Sequence, residues 1–259
     1  HTCGVDSRKG IQCWGSDASG QLQAPSGEFL HVACGERHTC ALDMGGSVAC
    51  WGDDGYGESS PPEGSFSSIS VGGGFSCGIE VGGAVACWGQ DGLGQASSVP
   101  EGHFAHVNAG QAHACVLDAD SAPHCWGWNA DGQSSAPDLQ FTAIEVGTYH
   151  SCGLDLEGGL RCWGRGYEGE GQGEGGGGEG EAPIEMQTFV DVAVSAFHTC
   201  MVTTEEELFC LGVNEQGQSR PPLGLFRSVT TGVEHSCGLA LTGEVSCWGS
   251  NEWGQSTVP

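Results

Sequence analysis

The chain has 259 residues, 47 of them glycine, and 33 acidic against 7 basic side chains give it a formal charge of −26. That balance excludes a phosphate-neutralising nucleic-acid surface, which needs clustered Lys and Arg, and opposes docking on anionic lipid; no apolar run approaches the roughly 18 residues needed to span a bilayer. Many turn formers and few helix formers predict an all-β chain.

The first predicted element is a hairpin whose cysteines, Cys3 and Cys13, have nine residues between them. The spacing recurs at Cys40/Cys50, Cys77/Cys87, Cys115/Cys125, Cys152/Cys162, Cys200/Cys210 and Cys237/Cys247, with first cysteines 37, 37, 38, 37, 48 and 37 residues apart. Seven copies at this period indicate a solenoid, propeller or array. From the second copy on, each unit opens on an apolar triplet: Phe29, Val32, Gly35; Phe66, Ile69, Gly72; Phe104, Val107, Gly110; Phe141, Ile144, Gly147; Phe189, Val192, with Ser195 in place of Gly; Phe226, Val229, Gly232. "HTCAL" (38–42) and its variants alternate as a strand, a turn such as "DMGGS" follows, and "VACWG" (48–52) is the return strand. An Asp- or Asn-bearing loop then closes on Gly-Gln, as at 16–21, 90–95, 128–133, 213–218 and 250–255, and a proline after it ends the strand run.

In an antiparallel hairpin centred near Gly45, Cys40 lies opposite Cys50, and directly opposed residues have Cα atoms about 4.5 Å apart, within reach of a disulfide. Nine intervening residues therefore read as a cross-strand staple in every unit. A metal site is the rival, but zinc cysteines usually sit two to four residues apart. Fourteen paired cysteines imply an oxidising compartment, hence a secreted, periplasmic or cell-surface protein. Cys34 is left over, at the strand position of Val71, Ala109, Val146, Val194 and Thr231, and reads as a buried free thiol. The chain opens on His1 without Met or a signal segment, which reads as a processed chain or a piece of a longer product.

Written out as Phe-x-x-Val-x-x-Gly-x-x-His-Ser/Thr-Cys-x-Leu, then Gly-x-Val-x-Cys-Trp-Gly-x-Asn-x-x-Gly-Gln, the unit resembles the regulator of chromosome condensation repeat family across all seven copies. The resemblance implies a seven-bladed β-propeller over residues 1–259 as a single domain. Members include a nuclear nucleotide-exchange factor, a plant photoreceptor, a secreted β-lactamase inhibitor and crinkly-type ectodomains of plant receptor kinases, so the fold does not name the function. The unit is broken at Phe75 (for His), Leu211 (for Trp) and Pro123 (for an apolar strand residue). The first unit lacks a Phe-x-x-Val-x-x-Gly strand, which flanking sequence, a short first blade or a neighbouring molecule would account for.

Six recurrent histidines (1, 38, 113, 150, 198, 235) are expected to make structural hydrogen bonds rather than a metal ring, and Trp14, Trp51, Trp88, Trp126, Trp163 and Trp248 to pack between blades. Trp128 and Trp253 lie in the loops outside the repeated position and are the candidate partner anchors. The segment 166–181, "GYEGEGQGEGGGGEGE", should be a charged, mobile excursion between blades 5 and 6; carboxylates make calcium conceivable there, without the ligand order of known calcium loops. No catalytic constellation and no cofactor motif emerges: Thr39 and His38 are strand neighbours pointing to opposite faces, and there is no Walker-type loop or nucleophile elbow. The expectation is a non-catalytic extracellular module for protein binding, adhesion or surface assembly. Its partner should be a protein, basic given the acidic surface, with self-association through the open strand seam a further route. A secreted enzyme inhibitor and a ligand-binding receptor ectodomain are the alternatives.

Overall fold

A computed structural model describes residues 1–165 and 187–259. The described residues are all-β, and their twenty strands form seven antiparallel sheets arranged as a seven-bladed propeller. The first sheet is the hairpin of β1 (Thr2–Val5) and β2 (Ile11–Trp14). The second has three strands, β3 (Phe29–Cys34), β4 (His38–Asp43) and β5 (Val48–Gly52), and the same order recurs through to β18 (Phe226–Thr231), β19 (His235–Ala240) and β20 (Val245–Gly249). The Phe-led strands are innermost, for they approach one another from blade to blade. Glycine follows four of them for a steric reason: a Cβ at Gly35, Gly72, Gly110 or Gly147 would run into the carbonyl oxygen of Gly72, Gly110, Gly147 or Ser195 in the next blade.

The period-2 pattern is realised in register. Cys3 faces Cys13, Cys40 faces Cys50, Cys77 faces Cys87 and Cys115 faces Cys125. Likewise Cys152 faces Cys162, Cys200 faces Cys210 and Cys237 faces Cys247. In all seven pairs the Cα atoms are 4.0–4.1 Å apart and the sulfurs are bonded, so every hairpin is stapled across its two strands. The two halves of a staple differ in cover, a point the spacing alone does not give. From the second blade on, the half on the middle strand is buried, while its mate on the outermost strand is half-buried at Cys50, Cys87, Cys125, Cys162 and Cys247; Cys210 alone among these mates is buried. The outermost strand has a neighbour on one side only, which leaves its sulfur nearer to solvent.

Apolar residues fill the spaces between blades. Cys40 and Leu42 of one blade pack against Phe66, Ile69, Val71 and Trp88 of the next, and Cys152 and Leu154 against Phe189, Val192 and Val194. Fully burying one such side chain contributes roughly 1.5–3 kcal/mol, so the inter-blade spaces are the core of the fold.

Two expectations change. Phe104 is buried but lies outside its strand, which is only Val107–Ala109, making blade 4 the irregular one. Cys34 is a free thiol as read, yet it is partly accessible, whereas Val71, Val146 and Val194 are buried; its strand borders the two-stranded first sheet, where the packing is thinner.

Candidate protein-binding face

The recurrent polar residues form a belt that joins the blades. His38 Nε2 lies 2.8 Å from Ser76 Oγ of the next blade, and the pattern repeats at His113–Ser151 (2.8 Å), His150–Thr199 (3.1 Å), His198–Ser236 (2.8 Å), His235–Thr2 (2.8 Å) and His1–Thr39 (2.8 Å). Ser76, Ser151, Ser236 and Thr39 donate their hydroxyls to a Gln or Glu main-chain carbonyl, as Ser151 does to Gln133, which leaves the imidazole Nε2–H to donate to the hydroxyl oxygen. The repeated Trp indole donates to that same carbonyl, as Trp163 does at 2.9 Å. Burial holds His38, His150, His198 and His235 down at a pKa of about 4 and His113 at about 3, so all five are neutral at pH 7. The belt is missing one link, where Phe75 replaces His, and the next blade has Ala114 where the hydroxyl would be; the two changes match. At Ser195, the hydroxyl in place of a glycine lies 2.7 Å from His198 Nδ1, the ring nitrogen that stays unpartnered in His38 and His113. These histidines and tryptophans are thus parts of the scaffold.

Function is to be sought where the belt's residues give way to variable ones. In each three-stranded blade the residue after the outermost strand donates its N–H to the carbonyl of the residue just before the middle strand: Asp53 to Arg37, Gln90 to Gly74, Trp128 to Ala112, Arg165 to Tyr149, Val213 to Phe197 and Ser250 to Glu234. Two side chains per blade are thereby set side by side on one face. Across blades 4 to 6 they form a continuous cluster: Trp128 meets Tyr149 edge-on with ring centroids 5.6 Å apart, Tyr149 meets Phe197 at 5.7 Å, and the Arg165 guanidinium lies 4.1 Å over the Tyr149 ring. Arg165 is fixed from the other side by Asp131 at 2.9 Å. Phe197 is 48% exposed and its neighbour Val213 41%. Such a set offers rigid aromatic surface with a planar cation held in place, a composition typical of the energetic centres of protein interfaces.

The structure brings Trp128 into this cluster and leaves Trp253 out of it: that ring is 68% exposed in its own loop, and no aromatic pair among the described residues includes it. Tyr149, Arg165 and Phe197 went unread in the sequence. Their signal lies in two columns of the repeat, the residue before the recurrent His and the residue after Trp-Gly, compared between adjacent units. The segment 166–181, with the calcium reading attached to it, lies outside the described residues. Among the described residues the only trio of metal-type donor atoms within 4.8 Å of one another is His1, Cys3 and Cys34, and the Cys3 sulfur is already bonded to Cys13.

A family model for the regulator of chromosome condensation (RCC1) repeat matches residues 29–58, 141–170 and 226–255. The chain carries RCC1 repeats at these three positions. Among solved structures, this RCC1-repeat chain is similar to the entire ectodomain of the receptor kinase CR4 from Physcomitrella patens, at 26% identity over 96% of this chain and 69% of that one, with a TM-score of 0.76. The crinkly ectodomain of the Arabidopsis thaliana receptor kinase ACR4 matches in fold at 24% identity over 95% and 90%, TM-score 0.76. Prp20p from Saccharomyces cerevisiae does so at 16% over 96% and 83%, TM-score 0.79. No curated protein matches the chain in sequence.

Proposed function

We propose that this chain is a non-catalytic, extracellular protein-binding module, one propeller domain from end to end, whose partner docks on the Trp128–Tyr149–Arg165–Phe197 face. The observation that carries the reading is that aromatic cluster, continuous over three blades of an otherwise acidic molecule. Seven stapled hairpins favour an oxidising compartment, and the resemblance to the CR4 ectodomain favours a receptor-type or surface-recognition role over free inhibition of an enzyme. The charge of −26 steers a basic partner towards the molecule. Self-association by strand exchange lacks a free donor, because every Phe-led strand among the described residues is paired within its own blade.

The test is affinity capture from the native extracellular medium with immobilised wild-type chain, a Trp128→Ser/Phe197→Ser variant and a Trp253→Ser variant. One protein retained by the wild type and by Trp253→Ser, and lost from the face variant, supports the assignment. Equal retention by all three refutes it.

A further inference from the structure

Where an inner strand packs on the blade before it, one position of the repeat meets the preceding staple. It is Val71, Ala109, Val146, Val194 and Thr231 in blades 3 to 7, and Cys34 in blade 2. Val71 shares an apolar cluster with Cys40 of the preceding blade, Val146 with Cys115 and Val194 with Cys152. Cys34 stands to Cys3 as these residues stand to their half-cystines: its Sγ, the Cys3 Sγ and a ring nitrogen of His1 all lie within 4.8 Å of one another. The contact is the ordinary one between neighbouring blades, so it does not depend on what pairs with the inner side of β1. Its chemistry is not ordinary. Cys34 is a free thiol and Cys3 is bonded to Cys13, so a nucleophilic sulfur faces a disulfide, which it does nowhere else among the described residues. A soft metal would need Cys3 as a thiolate, which the bond to Cys13 precludes. His1 Nε2 is held by Thr39 at 2.8 Å, and Nδ1 has no partner. Cys13, the far half of the staple, is half-buried on β2, the outermost strand of its blade.

From this geometry we infer that Cys34 and the Cys3–Cys13 staple form an internal thiol–disulfide exchange site, which hands the free thiol to Cys13 and makes that residue the attachment point for a small disulfide such as oxidised glutathione. The Cys34 thiol gives up its proton to the unengaged His1 ring nitrogen or to water, and its sulfur attacks Cys3 Sγ. The Cys3–Cys34 bond forms as the Cys3–Cys13 bond breaks, and Cys13 leaves as a thiolate. One thiol and one disulfide stand on each side of this step, so it consumes no oxidant or reductant. In a second exchange the Cys13 thiolate attacks the small disulfide, forms a mixed disulfide with one half of it and releases the other half as a thiol. The gain is one of position: reactivity moves from an inner strand to an outermost one, where the staple sulfurs lie nearer to solvent. Burial raises the Cys34 thiol to about 11, so the attacking thiolate is scarce and the exchange slow, with the stapled hairpin as the resting form.

The probe is oxidised glutathione. Wild type held with it at pH 8.5, quenched in acid and digested without reduction should yield a Cys3–Cys34 cross-linked peptide and glutathione on Cys13. Cys34→Ser should lower glutathione uptake at Cys13 at least about tenfold, because that chain keeps no thiol to start the exchange. Cys13→Ser leaves Cys3 and Cys34 as the two thiols, and these should close into one disulfide under the same conditions. The wild-type map decides the matter even if loss of the first staple impairs folding of Cys13→Ser. Glutathione on Cys34 with Cys3–Cys13 intact, no uptake by the wild type, uptake at Cys13 that Cys34→Ser leaves unchanged, or two separate adducts on Cys13→Ser would overturn the inference.

Discussion

Replacing the His113–Ser151 link by the pair that the chain itself uses one blade earlier tests the belt. Both side chains are buried to 0% exposure. Ser151→Ala removes the acceptor of the imidazole Nε2–H, 2.8 Å away, and strands a buried donor, at a cost of about 1–3 kcal/mol. His113→Phe removes one hydrogen bond while Ser151 keeps its bond to the Gln133 carbonyl, and should cost about 0.5–1.5 kcal/mol. The double variant reproduces Phe75 opposite Ala114, an arrangement with no polar atom to satisfy and the same glycine three residues before the ring. It should therefore lie within about 1 kcal/mol of wild type, giving a favourable coupling of about 1–2 kcal/mol in a double-mutant cycle read by urea unfolding at pH 7.5. Acid adds a second reading. His113 has a folded pKa of about 3 against an ordinary 6.5, so the unfolded chain takes up a proton that the native one refuses, and the stability present above pH 6.5 is lost as pH falls towards 3. At pH 4.5 that loss is on the order of 2–3 kcal/mol, and the double variant should escape it. His38, His150, His198 and His235 keep their own acid dependence in both proteins, so additive single effects, or a loss of stability between pH 7.5 and 4.5 as large in the double variant as in wild type, would refute the account.

Removing one staple, Cys152→Ala/Cys162→Ala, should lower stability by about 2–3 kcal/mol in the same assay, while non-reducing peptide mapping of the wild type should return seven cross-strand pairs and a single free cysteine. That cysteine, Cys34, is partly accessible but should react with iodoacetamide far more slowly at pH 8 in the folded chain than in the unfolded one, because desolvation pushes its thiol up to about 11 and leaves little thiolate. Burial first, and the Asp191 carboxylate next, raise Glu145 to about 8; its stabilising effect is whole below pH 4.5 and is lost as pH rises through 8, so Glu145→Gln should gain on wild type between pH 6 and 9 in thermal unfolding scans and show no gain near pH 4. Trp128→Ser/Phe197→Ser should leave unfolding within about 1 kcal/mol of wild type, since both rings are at the surface.

The sequence carried the fold because each device that makes the fold is local or periodic. The ten-residue step between paired cysteines sets a hairpin register, and the Phe, Val and Gly positions recur wherever an inner strand must pack and pass close to its neighbour. Which half of each staple is covered was not legible, because cover at Cys77 or Cys152 comes from the next blade and Cys87 or Cys162 stands on the outermost strand. Matched changes such as Phe75 with Ala114 were less visible, since the two residues are 39 positions apart and only the inter-blade contact makes them a pair. The candidate face was harder still. Trp128 stood out by lying off the repeat, but Tyr149, Arg165 and Phe197 acquire meaning only when three blades set them side by side, and Trp253, equally conspicuous in sequence, has no such company.

Hydrogen–deuterium exchange of the chain with and without the protein it captures from its native medium tests the central claim most directly. Slowed exchange at the turns carrying Tyr149 and Phe197 and just after the strands ending at Gly127 and Gly164, with the turn at Gly45 unchanged, is the predicted footprint. Protection that spares those blades and falls elsewhere would contradict the assignment of the binding face.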